Sequence, residues 1–124
     1  MLGNEAQASS AVKLLDPVSA ANTAAATSAW VDVRAYEADI EFSLQVGALT
    51  GSIAWAIQDA DDGSGTNPAA VTPNEGAFAA GAANQIQKRT VNANAVRGWV
   101  RVVGTIVTGP ALVAASLRSR PKYA

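Results

Sequence analysis

The chain has 124 residues, ten acidic and nine basic side chains, a net charge of −1, and neither cysteine nor histidine. This length predicts one domain that buries about two-thirds of the surface of its unfolded chain, so folding requires neither disulfides nor a structural metal. The missing thiol and imidazole groups exclude the usual zinc ligands, cysteine nucleophiles and histidine bases, and with them most hydrolase, transferase and redox mechanisms. We therefore expect a protein that is not an enzyme and carries no cofactor.

The first ten residues, MLGNEAQASS, contain little that could pack into a core. They lack the basic and apolar segments of a signal peptide, and no stretch of the sequence has the length and apolarity of a membrane span. We predict a flexible N-terminal arm over residues 1–10 and a folded, soluble domain over residues 11–124.

Apolar and polar residues alternate in several short segments, which is the pattern of half-buried strands. DIEFSLQV at 39–46 and SIAWAIQ at 52–58 both alternate, and the connector GALTGS predicts a hairpin between them. GWVRVVGTIV at 98–107 is apolar on most of both faces, as a central strand is, and Pro110 precedes a further strand at 111–118. Weaker strands are predicted at 12–15, 30–36 and 85–91.

Helices are not predicted, because the one segment with helical propensity, the alanine-rich run at 20–29, also contains Asn, Thr and Ser. We predict a loop or a short turn there. Seven to eight short strands separated by turn residues predict an all-β, single-domain antiparallel sandwich of a small jelly-roll type.

IQDADDGSGTNPAAVTPNEG at 57–76 raises the question of a metal site, because three aspartates follow a strand. Aligned from Asp59 with a calcium-binding EF-hand loop, the stretch fails, since the fifth, sixth and twelfth positions of that loop are Gly63, Ser64 and Ala70. Aspartate and glycine are also the residues that tight turns need. Two roles therefore stay open, turn formation or weak cation binding, for Asp59, Asp61 and Asp62.

Residues 61–75 are rich in Gly, Ser, Thr, Asn and Pro, and they predict a long exposed loop. Long loops are uncommon in compact domains unless they bind something. We therefore expect the loop to contact a partner.

The tryptophans differ in their predicted positions. Trp55 alternates with isoleucines and is expected in the core, and Trp99 beside Val100 is expected there too. Trp30 begins a strand after a loop and fits either the edge of the core or a contact surface. Binding of single-stranded nucleic acid needs aromatic rings on a basic outer face. Only Trp99 lies near arginines, and it is expected in the core, so we do not expect nucleic acid as a partner.

Charge is unevenly distributed, since residues 1–84 sum to −8 and residues 85–124 sum to +7. Such asymmetry can indicate nucleic-acid binding, but the balanced net charge argues against it. Acidic and basic strands lying side by side in one sheet would also produce it. A third interpretation is an acidic face of one copy that meets a basic face of its neighbour.

The C-terminal SLRSRPKYA places a base at every second residue, so Arg118, Arg120 and Lys122 share one side of an extended strand. Pro121 prevents further pairing, and Tyr123 adds a rigid amphipathic ring. The strip is either a sheet edge protected by charge or a docking strip for an acidic neighbour.

Four segments carry a resemblance to a known group of proteins: LLDPVSAANTAAATSAWVDVRAYEADI, DGSGTNPAAVTPNEGAFAA, NQIQKRTVNANAVRGWVRVVGTIVTGPALVAASL and RPKYA. Over residues 11–124 the chain resembles small virion structural proteins of tailed bacteriophages, of the head decoration or cement type. The resemblance implies a β-rich homo-oligomer, a dimer or trimer, that binds the major capsid protein. It also implies a location on the outer surface of the phage head after synthesis in the host cytoplasm.

Candidate contact residues come from the arm, the long loop and the basic tail, together with one tryptophan. They are Leu2, Asn4, Trp30, Thr66, Asn67, Asn74, Arg118, Arg120, Lys122 and Tyr123. We predict no catalytic or metal-binding residues, no small-molecule substrate and no membrane partner. The alternative function is a tail- or fibre-associated module that binds a receptor carbohydrate through loop 61–75.

Overall fold

The computed structural model of this chain describes residues 10–20, 25–107 and 110–121. These residues form nine β-strands in two antiparallel sheets and one 3-10 turn, Ala93–Ala95. The strands are β1 (Ser10–Ala20), β2 (Ala25–Thr27), β3 (Val31–Asp32), β4 (Tyr36–Leu49), β5 (Ile53–Ala60), β6 (Ala69–Val71), β7 (Gln85–Asn92), β8 (Trp99–Ile106) and β9 (Ala111–Pro121).

Strands from the two halves of the chain pair antiparallel in a nested order: the first strand pairs with the last, and strands nearer the middle of the chain pair with each other. β1 pairs with β9, β2 and β3 pair with β8, β4 pairs with β7, and β5 pairs with β6. The four-stranded sheet has the order β1-β9-β4-β7, and the five-stranded sheet follows β2-β8-β5-β6 with β3 also on β8. One long hairpin wrapped into two sheets in this way is a jelly roll. The predicted all-β, single-domain sandwich is therefore confirmed.

The core lies between the sheets and is built from apolar residues at every second strand position. Phe42 in β4 and Ile57 in β5 are 0% and 1% exposed. The alternation predicted for 39–46 and 52–58 is confirmed, as is the burial of Trp55, which is 7% exposed. Further buried apolar side chains are Ile40, Leu44, Val46, Ile53, Val91, Val100, Val102, Ile106, Val113 and Leu117.

The predicted hairpin between the two alternating segments is wrong, because they belong to different sheets. β4 lies between β9 and β7, whereas β5 lies between β8 and β6. Residues 50–52 carry the chain from one sheet to the other. The two apolar faces therefore meet across the core instead of sharing a sheet edge.

Three other predictions about the elements need correction. Strand β2 lies inside 20–29, which was expected to be a loop or turn, and strand β6 lies inside the predicted loop 61–75. The strand predicted at 30–36 is only two residues long before β4 begins. Each of the short strands pairs with a longer one. Hydrogen bonds to that longer strand stabilise an extended backbone that the short strand's own sequence does not predict.

The predicted central strand at 98–107 is confirmed, because β8 has β2 and β3 on one side and β5 on the other. The predicted strand at 111–118 is also present and extends to Pro121. β9 pairs with both β1 and β4. The described part of the chain contains no helix with the length and apolarity that a membrane-spanning segment needs.

A buried isoleucine and an exposed isoleucine test the assignment of the core. Replacing Ile57, which is 1% exposed, by alanine is expected to lower the free energy of unfolding by about 2–5 kcal/mol, because it leaves a cavity between the sheets. Ile86 is 61% exposed, and Ile86→Ala is expected to change the free energy of unfolding by about 0.5 kcal/mol or less. Urea unfolding measures both changes, and equal losses would contradict the assigned core.

Candidate functional site

One arginine organises the end of the sandwich where β5 stops. The Arg97 guanidinium donates to Asp59 Oδ1 and to Asp61 Oδ1, each at 2.9 Å, and to the backbone carbonyls of Asp59 at 3.0 Å and Asn67 at 2.6 Å. The Asp59 side chain is 9% exposed, and its Oδ2 also accepts from the backbone N–H of Arg97 at 3.1 Å. These carboxylates, Asp59 above all, raise the pKa of Arg97 above its ordinary value. Arg97 thus ties the loop after β5 to the start of β8.

Asp62 forms a tight turn within the same loop. Its Oδ1 accepts from the backbone N–H groups of Ser64 at 2.9 Å and Thr66 at 3.2 Å, and its Oδ2 accepts from the Thr66 hydroxyl at 2.7 Å. The hydroxyl of Thr66, followed by its N–H, holds the pKa of Asp62 below its ordinary value. Asp62 therefore has the role that the turn interpretation predicts.

The three aspartates at and after the end of β5 all have partners inside the protein. Asp59 and Asp61 pair with Arg97, and Asp62 closes the turn. Across the described ranges, no three carboxylate, thiol or imidazole side chains are close enough to hold a metal ion. The ion pairs and the turn account for the acidic character of this stretch.

The loop residues predicted to contact a partner are exposed and bonded within the chain. Asn67 donates from Nδ2 to Asp61 Oδ2 at 2.8 Å, next to the Arg97 cluster. Asn74 donates from Nδ2 to Asp39 Oδ1 at 3.3 Å and to Thr90 Oγ1 at 3.2 Å, beside β4 and β7. Thr66 and Asn67 therefore share one end of the loop, whereas Asn74 lies with other strands.

The loop after β5 folds over two tryptophans on the outer face of the five-stranded sheet. A Cβ added to Gly65 would lie 2.5 Å from Trp30 Nε1, and one added to Gly63 would lie 3.0 Å from Trp99 Cζ3. The glycines therefore allow the loop backbone to approach both rings closely. Both tryptophans are half-buried.

The prediction that Trp99 lies in the core is wrong. Alternation along β8 buries Val100 and Val102, so Trp99 and Arg101 project from the opposite, outer face. The signal was present in the sequence, because a strand position two residues from Trp99 carries an arginine. Trp30 lies on the same face, where the Arg101 guanidinium carbon is 4.5 Å from its ring centroid.

Arg34, next to this face, is neutralised by its neighbour. Its Nε donates to Asp32 Oδ1 at 2.9 Å and its Nη2 donates to Asp32 Oδ2 at 2.7 Å. These side-chain bonds are the largest cause that lowers the pKa of Asp32. The Arg34 guanidinium carbon also lies 5.4 Å from the Trp99 ring centroid.

Arg118 and Arg120 lie along β9, on the outer face of the four-stranded sheet. Arg118 is opposite Glu41 and Arg120 is opposite Glu37 in the register with β4. Arg120 Nε is 3.7 Å from Glu37 Oε1. The interpretation that acidic and basic strands lie side by side is therefore confirmed for these two strands.

β9 is not an edge strand, so the interpretation of its bases as edge protection is wrong. It is hydrogen-bonded to β1 on one side and β4 on the other. Local sequence could not reveal this, because β1 is about a hundred residues away along the chain. Of the arm predicted over residues 1–10, residues 1–9 lie outside the described residues, and Ser10 already belongs to β1. Four predicted contact residues also lie outside the described residues: Leu2, Asn4, Lys122 and Tyr123.

No protein-family model matches this sequence, and no curated protein matches it. Two described surfaces are open to a partner: the loop after β5 with its two tryptophans, and the exposed bases of β9. The function is therefore inferred from these surfaces together with the sequence pattern.

Removing Arg97 is expected to destabilise the protein, because the buried carboxylate of Asp59 would lose its counter-charge. Arg97→Met should therefore lower the midpoint of urea unfolding clearly. Arg120→Met is the matched control, since it removes an ion pair whose side chains are 61% and 47% exposed, and its midpoint should barely change. Equal midpoints for the two variants would contradict the structural role of Arg97.

The Asp62 turn predicts a pH effect with a defined sign. A carboxyl whose pKa is lowered by folding stabilises the fold above its unfolded pKa, and this contribution is lost as the pH falls through the folded pKa. Thr66→Val should raise the pKa of Asp62 and reduce this loss, because the strongest hydrogen bond to the carboxylate disappears. Thr72→Val, on the far side of β6, should leave it unchanged. Carboxyl-carbon NMR titration measures all three proteins, and an unaltered Asp62 in Thr66→Val would rule the turn out as the cause.

Proposed function

We propose that this protein is a structural protein of a tailed-bacteriophage virion that decorates or cements the outside of the head. Its partners are the major capsid protein and neighbouring copies of itself. The sequence resemblance over residues 11–124 supports this function. Jelly-roll domains occur in viral capsid proteins and lectins, so the fold is compatible with the proposal without determining it.

The exposed bases of β9 are the observation that carries the proposal. Arg118 and Arg120 project from the outer face of the four-stranded sheet, two residues apart. Arg118 forms no ion pair with any described residue, although Glu41 is its register partner. An acidic surface of the shell would supply the missing carboxylate, and arginine is a residue that interfaces favour.

The surroundings of Arg118 fit a contact with a folded surface. Glu41, Ser43, Lys88 and Ser116 line a depression of about 150 Å³ beside it. The small serine side chains lie between charged ones, so a neighbour's side chain can enter and meet bases on two strands. A single contact of this size is weak, but many copies on a symmetric shell add their contributions.

The copy number in purified virions tests this function. Quantitative mass spectrometry against the major capsid protein should give a ratio near a simple fraction, because a decoration protein occupies equivalent positions on the shell. A handful of copies per particle would contradict head decoration. It would favour the tail- or fibre-associated module, with loop 61–75 as the receptor-binding segment.

Rebinding to particles that lack the protein provides the matched control for the same prediction. Arg118→Gln should bind more weakly, whereas Arg34→Gln should bind nearly as the wild type does. Both residues are exposed cations, but Arg34 lies between β3 and β4, outside the depression beside Arg118, and its charge is paired with Asp32. Equal weakening by both variants would indicate a general charge effect instead of docking by β9.

A further inference from the structure

Arg101 differs from the arginines that have a carboxylate partner. Arg34, Arg97 and Arg120 each form an ion pair with an aspartate or a glutamate. Arg101 is half-buried and forms no ion pair with any residue that the structure describes. A guanidinium in this position keeps its charge where water screens it less, so an incoming carboxylate interacts with it strongly.

Two contacts hold the Arg101 side chain in place. Its Nε donates to Gln58 Oε1 at 2.8 Å, and its guanidinium carbon lies 4.5 Å from the centroid of the Trp30 ring. Trp30 is in turn covered at its Nε1 edge by the backbone of Gly65. The two terminal nitrogens of Arg101 have no hydrogen-bond partner among the described residues, and they form a fork that fits one carboxylate. Because the fork is preorganised, less side-chain entropy is lost on binding.

The face next to Arg101 carries no charged side chain among the described residues. The register of β2, β8 and β5 places small side chains in two adjacent rows on the outer side. Four of them are exposed and Val103 is half-buried. The exposed residues are Thr27, Ala54, Ala56 and Thr105. A partner can therefore approach this face closely while it reaches Arg101.

We propose that the outer face of the five-stranded sheet binds a protein segment that presents an aspartate or glutamate to Arg101. The carboxylate pairs with the free fork of Arg101 beside Trp30, and the rest of the segment lies on the small side chains of β8 and β5. The proposal rests on the proposed function for the identity of the partner, which is then an acidic segment of the shell. It adds a second contact surface, on the opposite side of the sandwich from β9.

A second copy that uses the same face does not satisfy Arg101. Asp32 is the acid that the register places on this face, opposite Trp99, and both of its oxygens are bonded to Arg34. Two such faces packed together would bring two unpaired arginines into one interface, which costs affinity. Nucleic acid is disfavoured because Asp62 stands in the loop that covers both tryptophans.

Selection from a yeast-displayed library of random seven-residue peptides tests the proposal. The wild-type protein should enrich peptides with one Asp or Glu at a fixed position. Arg101→Gln should bind the enriched peptides about 10- to 100-fold more weakly, which is the range for a hydrogen bond to a charged group. Arg34→Gln is the matched control on the same side of the molecule and should bind them as the wild type does. A far-ultraviolet circular dichroism spectrum and a urea midpoint like those of the wild type establish that Arg101→Gln is folded.

Three kinds of result would overturn the proposal. The first is failure of the peptide test, either because the enriched peptides carry no fixed acid or because Arg101→Gln binds them as tightly as the wild type does. The second is self-association that depends on Arg101 in sedimentation velocity, which would make a second copy the partner. The third is binding of a 20-nucleotide single-stranded DNA that depends on Arg101.

The same variants separate this proposal from the proposed function. If the protein is present at a simple fraction of the capsid protein but Arg101→Gln rebinds particles normally, the function stands and the surface is wrong. If the copy number is a handful, head decoration is wrong, and the peptide selection still decides whether Arg101 binds a carboxylate.

Discussion

Nested pairing of distant strands is the constraint on which the rest of this structure depends. A chain of 124 residues can cover both sides of its core only if the two sheets bury one face each, and the alternation of apolar residues provides those faces. The pairing of β4 with β9 and of β5 with β8 then places the long strands at the centres of the sheets. The outer faces are left to polar, charged and small residues, and these are the surfaces available to partners.

Arg97 connects the buried end of β5 to the exposed loop that follows it. It joins the buried carboxylate at the end of β5 to the following loop, and so determines where that loop leaves the sheet. The loop then lies against Trp30 and Trp99, and Trp30 lies against Arg101. An ion pair at the end of the sandwich thus positions an arginine on its outer face through a series of direct contacts.

Features that depend on neighbouring residues could be predicted from the sequence, and features that depend on distant partners could not. The alternation of DIEFSLQV reveals its buried face because the period of a strand is local. The choice between a hairpin and a crossing after β4 depends on β9 and β8, which lie far along the chain, so the hairpin prediction was wrong. The pair formed by Asp59 and Arg97 is separated by 38 residues, and the loop sequence alone could not show that its acid was buried.

Charge illustrates how the fold changes the meaning of a sequence pattern. The acidic first part and the basic last part of the chain look like opposed surfaces, yet nested pairing interleaves them, as with Glu37 beside Arg120 and Asp59 beside Arg97. The charges available to bind a partner are those of side chains that form no ion pair within the protein. Arg118 and Arg101 are unpaired among the described residues, and they project from the outer faces of different sheets. If both bind carboxylates, one copy touches two acidic neighbours on opposite sides. Under the proposed function, such a copy would link two subunits of the shell, as a cement protein must.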